Sequence, residues 1–161
     1  MGRYVTIIAQ DFTIKAENTE AAYKAAVALN ADDTRKSVRY CGPKPLEKPE
    51  DSKSAASNPG VSYLGVRWNY DEECHTLAEV LREFGFEPEV APDGAITGLW
   101  FDDKLGDEQL VLEAIAPFVE DGSMLGWAEG YSDMWSMWFL NGSVKDGPCE
   151  IVWSRPEAEA A

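Results

Sequence analysis

Three carboxylate doublets, Asp102 with Asp103, Asp107 with Glu108, and Glu120 with Asp121, are the side chains in this sequence best placed to do chemistry. Two carboxyls held at a fixed separation in a cleft hydrolyse glycosides, and several oxygens converging on a point hold a hard divalent cation. The run from Asp102 to Glu108, DDKLGDE, lacks the alternating oxygen ligands of a calcium loop. The doublets therefore read as helix caps, solvated turns or a partner-facing acidic surface, with no metal and no cofactor. His75 is the single histidine, which excludes any site that needs two imidazoles. Its neighbour Cys74 is predicted to share a helix with it, where adjacent side chains diverge and do not form a nucleophile and base. Gly122, Gly126 and Gly130 recur every four residues, but they precede no helix and sit among acid that repels phosphate, so they are not a phosphate loop.

A second candidate is aromatic. Trp127, Tyr131, Trp135 and Trp138 fall within a predicted antiparallel pair, Met124 to Glu129 and Met134 to Leu140, and could line a pocket. Alternation puts Trp135, Met137 and Phe139 on one side of the second strand and Met134, Trp138 and Leu140 on the other. One side covers helices. The other must meet a long loop, a second subunit in a homodimer, or a ligand.

Charge narrows the partners. The 161 residues carry a formal net charge of -15, with 14 basic and 29 acidic side chains. Residues 1 to 85 are close to neutral, whereas residues 86 to 161 hold only Lys104, Lys145 and Arg155 as basic residues. A field of that sign steers cationic partners and repels nucleic acid and anionic membrane, so neither direct nucleic-acid binding nor membrane binding is expected. No run is long and apolar enough to span a bilayer and no secretory signal opens the chain, which leads us to expect a soluble, cytoplasmic protein. Cys41, Cys74 and Cys149, an odd number at wide spacing, read as reduced thiols.

The elements that must position these groups follow from periodicity. Arg3 to Gln10 reads as an interior strand with two covered faces. Asn18 or Thr19 is predicted to cap a helix running to about Asn30, with Ala22, Tyr23, Ala26 and Leu29 on its inner face. Residues 42–60, rich in Pro, Ser and Lys, read as a mobile loop within the chain's one basic concentration, Arg35, Lys36, Arg39, Lys44, Lys48 and Lys53. A strand is predicted at Val61 to Trp68, then a helix with Cys74, Leu77, Leu81 and Phe84 as its apolar stripe, ended by Gly85. A hairpin turns at Asp93-Gly94 through a type I′ turn. The next helix, capped by Asp107, buries Leu110, Val111, Ala114, Ile115 and Phe118 and tightens at Pro117. Asn141-Gly142 makes a second tight turn, within a Ser143-terminated glycosylation sequon that reads as a turn. A last strand is placed at Cys149 to Trp153 and a frayed tail at 156–161. The expectation is one α+β domain over residues 1–161, with two to three helices on one face of a mostly antiparallel sheet: a ferredoxin-like core with extra strands.

From Glu113 to Ser123, EAIAPFVEDGS, and through the hairpin bearing Trp135, Trp138, Phe139 and the Asn141-Gly142 turn, the chain resembles small uncharacterised acidic proteins of bacteria and their phages. The resemblance covers about the last 70 residues and brings no catalytic residue with it. It implies inhibition of host defence proteins, CRISPR effectors and restriction enzymes among them, by mimicking the charge of DNA on a nucleic-acid-binding surface. The charge pattern and the resemblance together favour a non-enzymatic interaction protein. Its partner would be a basic protein surface, and its contacts Asp102, Asp103, Asp107, Glu108, Glu120 and Asp121. The alternative is a small-molecule binder or small enzyme using the aromatic face with a carboxylate as acid or base.

Overall fold

The computed structural model describes residues 3–31, 37–38, 61–63, 66–67, 69–106, 108–150 and 152. The predicted loop at 42–60, the basic concentration from Arg35 to Lys53, Cys41, Asp107 and the predicted tail at 156–161 lie outside the described residues.

The central strand is β1 (Tyr4–Asp11), followed by α1 (Ala16–Ala28). Three very short strands come next, β2 (Ser37–Val38), β3 (Val61–Tyr63) and β4 (Val66–Arg67), and they form a small sheet of their own. The one strand predicted at Val61 to Trp68 is thus a hairpin, with Tyr63 paired to Val66. A single turn, α2 (Tyr70–Glu73), precedes α3 (Leu77–Glu83) and the hairpin β5 (Glu87–Val90) and β6 (Ile96–Trp100). Then come β7 (Asp102–Lys104), α4 (Glu108–Ile115), β8 (Met124–Glu129), β9 (Asp133–Leu140) and β10 (Ser143–Pro148).

β1 pairs antiparallel with β7 on one side and β8 on the other, and β8, β9 and β10 continue as a meander. The β5–β6 hairpin joins this sheet because β6 runs through Phe101 into β7. The Ile7 amide donates to the Phe101 carbonyl at 2.9 Å, and Ile14 bridges Ile96. Across the molecule the order is β5, β6 with β7, β1, β8, β9, β10. With α1 and α3 before the hairpin and α4 before β8, this is the βαββαβ arrangement of a ferredoxin-like core, extended at one edge by β9 and β10. Both edge strands contain a proline, Pro88 in β5 and Pro148 in β10.

Apolar residues of the three longer helices, Ala22, Ala26, Leu77, Leu81, Leu112 and Ile115, bury against Val5, Ile7, Leu99, Leu125, Trp127 and Phe139 of the sheet. All the helices of this core lie on one face. The opposite face is open: Tyr4 and Ile8, expected under cover, are 55% and 41% exposed. Alternation of apolar residues in β1 signals two apolar faces, and it does not say that both are covered.

Local chemistry explains the other departures. The helix predicted across Cys74 is interrupted because Thr76 and Glu79 form a capping box that starts α3 afresh, and Cys74 is extended. α1 begins at Ala16, and Thr19 donates its hydroxyl to the Ala16 carbonyl instead of capping. The Asp93-Gly94 hairpin is no two-residue type I′ turn. Gly94 donates to the Ala91 carbonyl at 2.9 Å with Pro92 between them, and Gly94 takes the left-handed conformation at φ 91. That is a type I turn closed by a left-handed glycine, which Pro at its second position favours. Asn141 and Gly142 do make the type I′ turn, at φ 52 and 73. In α4 the buried set is Glu108, Val111, Leu112 and Ile115, while Leu110 and Ala114 are half-buried. Pro117 converts the following turn to a 3-10 helix, Ala116–Phe118, as its missing N–H requires. The final described strand is β10, and Cys149 and Glu150 belong to no element.

Candidate functional site

The sheet disperses the carboxylates singled out in the sequence. Asp102 and Asp103 are successive residues of β7 and point to opposite faces. Asp102 pairs with Thr6 and accepts its hydroxyl hydrogen at 2.8 Å, whereas Asp103 pairs with Val5 and accepts from the Lys104 amide. Glu108 is buried, with its carboxylate accepting from the Gly106 amide at 2.6 Å, so it helps to start α4 and does not face a partner. Glu120 and Asp121 are exposed at the far end of the sheet. There the Glu120 amide donates to the Thr13 carbonyl, and Asp121 accepts from the Asn141 amide at 2.6 Å, holding the type I′ turn. Seven strand positions separate Thr6 from Thr13, about 23 Å at 3.3 Å per residue. The doublets are therefore two separate ends of one sheet and do not form a single strip.

The aromatic residues divide in the same way. Trp127 is buried on the helix side, stacked on half-buried Trp135 with centroids 6.1 Å apart and 5° between planes, and Phe86 and Phe101 complete the cluster. Tyr131 stands fully exposed at the β8–β9 turn. Trp138 is on the open face, where it is joined by Trp100, Tyr4 and Ile8, three residues that strand alternation in β1 and β6 could have revealed.

The sequence averages also hid the acidity of the helices. Besides buried Glu108, the helices α1, α2, α3 and α4 carry Glu17, Glu20, Asp71, Glu72, Glu73, Glu79, Glu83 and Glu113 against Lys24 and Arg82. The near neutrality of residues 1–85 arises from the basic residues between Arg35 and Lys53, which in the count offset the carboxylates of α1, α2 and α3. The helices are tied together: Tyr70 donates its hydroxyl to the Ala26 carbonyl at 2.9 Å, and Tyr23 to the Cys74 carbonyl at 2.7 Å. Asp71 accepts from the side chain of Asn30. The outward side of the helical layer is accordingly a fixed acidic surface.

Two of its groups are tuned by neighbours. Glu79 accepts from the amides of His75, at 2.5 Å, and Thr76, and the His75 amide bond is the main cause that holds its carboxyl below the ordinary value of 4.5. A depressed folded value stabilises above the unfolded carboxylate range, and that contribution is lost as pH falls through the folded value. Protection of the His75 and Thr76 amides, measured against their intrinsic exchange rates at each pH, should accordingly fall as pH drops through the lowered Glu79 value, and should hold steady there if the capping box does not depend on ionised Glu79. Glu20 is lowered in the same direction by its hydrogen bond and ion pair with Lys24 at 2.8 Å.

A cleft of about 350 Å³ opens between α1, the start of α3 and the β5–β6 turn, lined by Tyr23, His75, Leu77, Val90 and Ile96, with Glu20 on its lining. It lies away from the aromatic residues expected to form a pocket. Cys74 is buried and His75 exposed, so the two remain apart in environment as well as in direction. Among the described residues no group of three or more His, Cys, Asp or Glu side chains could hold a metal ion, and no helix is long and apolar enough to cross a membrane. Comparisons with family models, with curated proteins and with solved structures found no match to this chain, so its chemistry is read from these residues alone.

Proposed function

We propose that the chain is a non-enzymatic interaction protein that presents its acidic helical layer to a basic protein surface. The supporting observation is the concentration of carboxylates on α1, α2 and α3, from Glu17 to Glu83, in elements that hydrogen bonds from Tyr23 and Tyr70 hold in fixed relation. Carboxylates on a rigid support act at a distance on a cationic surface and raise its rate of encounter, with a strength that salt screens. A protein surface that binds nucleic acid has the complementary charge, since it is built to neutralise phosphates. The resemblance to small acidic phage proteins directs the reading to nucleic-acid-binding proteins of bacterial defence, which the chain would inhibit by occupying the surface meant for DNA or RNA. Exposed Asp103, Glu120 and Asp121 add to the field without forming the centre of the contact.

Capture from a bacterial lysate on the immobilised chain, at low and high salt and with competing DNA, tests this. Retained proteins should be nucleic-acid-binding, released by salt and displaced by DNA. The double variant Glu17→Lys with Glu72→Lys should lower retention about tenfold or more, while Asp102→Lys, on the other face, should change it little. Equal retention by the helix variant, or indifference to DNA, would overturn the reading.

A further inference from the structure

The cleft of about 350 Å³ between α1, the start of α3 and the β5–β6 turn opens among the acidic helices, and its walls are mostly apolar. Leu77 and Ile96 are buried, Tyr23 and Ala78 half-buried, and Val90 is 50% exposed. The polar atoms of these walls are already engaged. Tyr23 donates its hydroxyl to the Cys74 carbonyl at 2.7 Å, Thr19 donates to the Ala16 carbonyl at 2.8 Å, and the Thr76 hydroxyl accepts from the Glu79 amide at 3.2 Å. An occupant therefore gains by burying carbon against Leu77, Val90 and Ile96 rather than by hydrogen bonding. The volume stands near the lower end of the range of about 300 to 1,000 Å³ for ligand sites, which suits one large side chain.

Charge determines what must flank that side chain. Each wall has a carboxylate: Glu20 on α1, Glu79 folded back onto the His75 and Thr76 amides, and Asp93, next to Gly94 of the lining, accepting from the Ala95 amide at 3.0 Å. Lys24 pairs with Glu20 at 2.8 Å, but both side chains are exposed, so water screens the pair and Glu20 can take another cation in its place at little cost. Lys15 and Arg82 are the other cations of α1, α3 and their caps, and Glu17, Glu72, Glu73 and Glu83 of the same layer outnumber them.

We propose that this cleft is the anchor pocket of the acidic layer: it takes one apolar side chain of phenylalanine size from a segment of the basic partner, with lysine or arginine on either side of it. The inference rests on the reading of the helical layer as a surface for a basic protein, and it adds what charge does not provide. Exposed charge speeds encounter and is screened by salt, whereas a desolvated apolar anchor slows dissociation and persists in salt. A neutral metabolite would make no use of the carboxylates on the three walls. A purely polybasic segment would make none of Val90.

Titration of the full chain with a blocked synthetic peptide, one phenylalanine between pairs of lysines, followed through the backbone amide resonances, tests this. The peptide should bind with a dissociation constant of about 100 μM and shift the amides of Ala78, Val90 and Gly94 more than those on the outer faces of the helices. Serine in place of phenylalanine should weaken binding about tenfold, and glutamates in place of the lysines about tenfold or more. Val90→Asp should weaken the phenylalanine peptide about fivefold although it makes the surface more acidic, and Ala78→Leu, which fills the cleft, should do the same. The amide spectrum of each variant reports whether it is folded. Absence of saturable shifts at those three amides with about 1 mM peptide overturns the inference. Equal binding of the serine peptide overturns it by leaving an acidic surface without an anchor, and equal binding of N-acetylphenylalanine amide by leaving a cleft for neutral ligands. So does tighter binding to Val90→Asp. Failure of the helical-layer reading shows separately, as lysate capture that DNA does not displace, because this titration contains neither DNA nor a host protein.

Discussion

Trp127→Ala should destabilise the chain by about 3 to 5 kcal/mol, the range for a large aromatic lost from a core, read as a lower urea midpoint at unchanged slope. Trp127 is 2% exposed and stands at the junction of the two hairpins, stacked on Trp135 and in edge or tilted contact with Phe86 and Phe101 at 6.4 and 5.7 Å. Its removal empties the place where β8, β9 and the β6–β7 strand share one cluster. Its indole nitrogen is buried without a hydrogen-bond partner among the described residues. An unmade bond of that kind costs about 1 to 3 kcal/mol, so Trp127→Phe sheds a penalty as well as some contact. The phenylalanine variant should accordingly fall within about 1 kcal/mol of the parent. If instead it is as damaging as alanine, the indole N–H has a partner and the cluster is polar at its centre.

The second large effect concerns the end of α3. Gly85 has φ +90, in the left-handed region, and a Cβ there would lie 3.0 Å from Cε2 of Phe101. Gly85→Ala should cost about 2 to 3 kcal/mol, of which about 1 comes from the backbone conformation and the rest from displacing a ring in the Trp127 cluster. Gly94→Ala separates the two parts. Gly94 has nearly the same φ, +91, and an added Cβ would meet nothing within 4 Å. It should show the backbone share alone, and equal costs at the two positions would mean that Phe101 yields freely.

The order of strands and helices was legible because each element carries its own period and its own stop. The Asn141-Gly142 turn and the tightening at Pro117 follow from φ preferences that one residue determines. What the chain conceals is long-range. The break between α2 and α3 was present as Thr76 and Glu79 at capping-box spacing, yet the apolar stripe from Cys74 to Phe84 masked it. Two adjacent carboxylates look like a site on paper, but on β7 they point away from each other, and the register that assigns Asp102 to Thr6 is a contact across 96 residues. Burial of Glu108 depends on how α4 docks, and no local pattern reports that. The acidic helices were missed for an arithmetical reason, because the same half of the chain contains most of the basic residues. The open face was the subtlest: Tyr4, Ile8, Trp100 and Trp138 come from three strands and become neighbours only when β1 is placed at the middle of the sheet.

The prolines of the two edge strands bear on how the protein behaves when crowded. A free strand edge is a template that can recruit another chain and propagate into a fibre, provided that it offers an unbroken ladder of donors. Pro88 and Pro148 each delete a donor, and Lys145 and Asp146 set charge beside the second gap. The sheet is thereby terminated at both ends. Strand addition at either end of this sheet is accordingly disfavoured, and with it the use of the sheet as a seed.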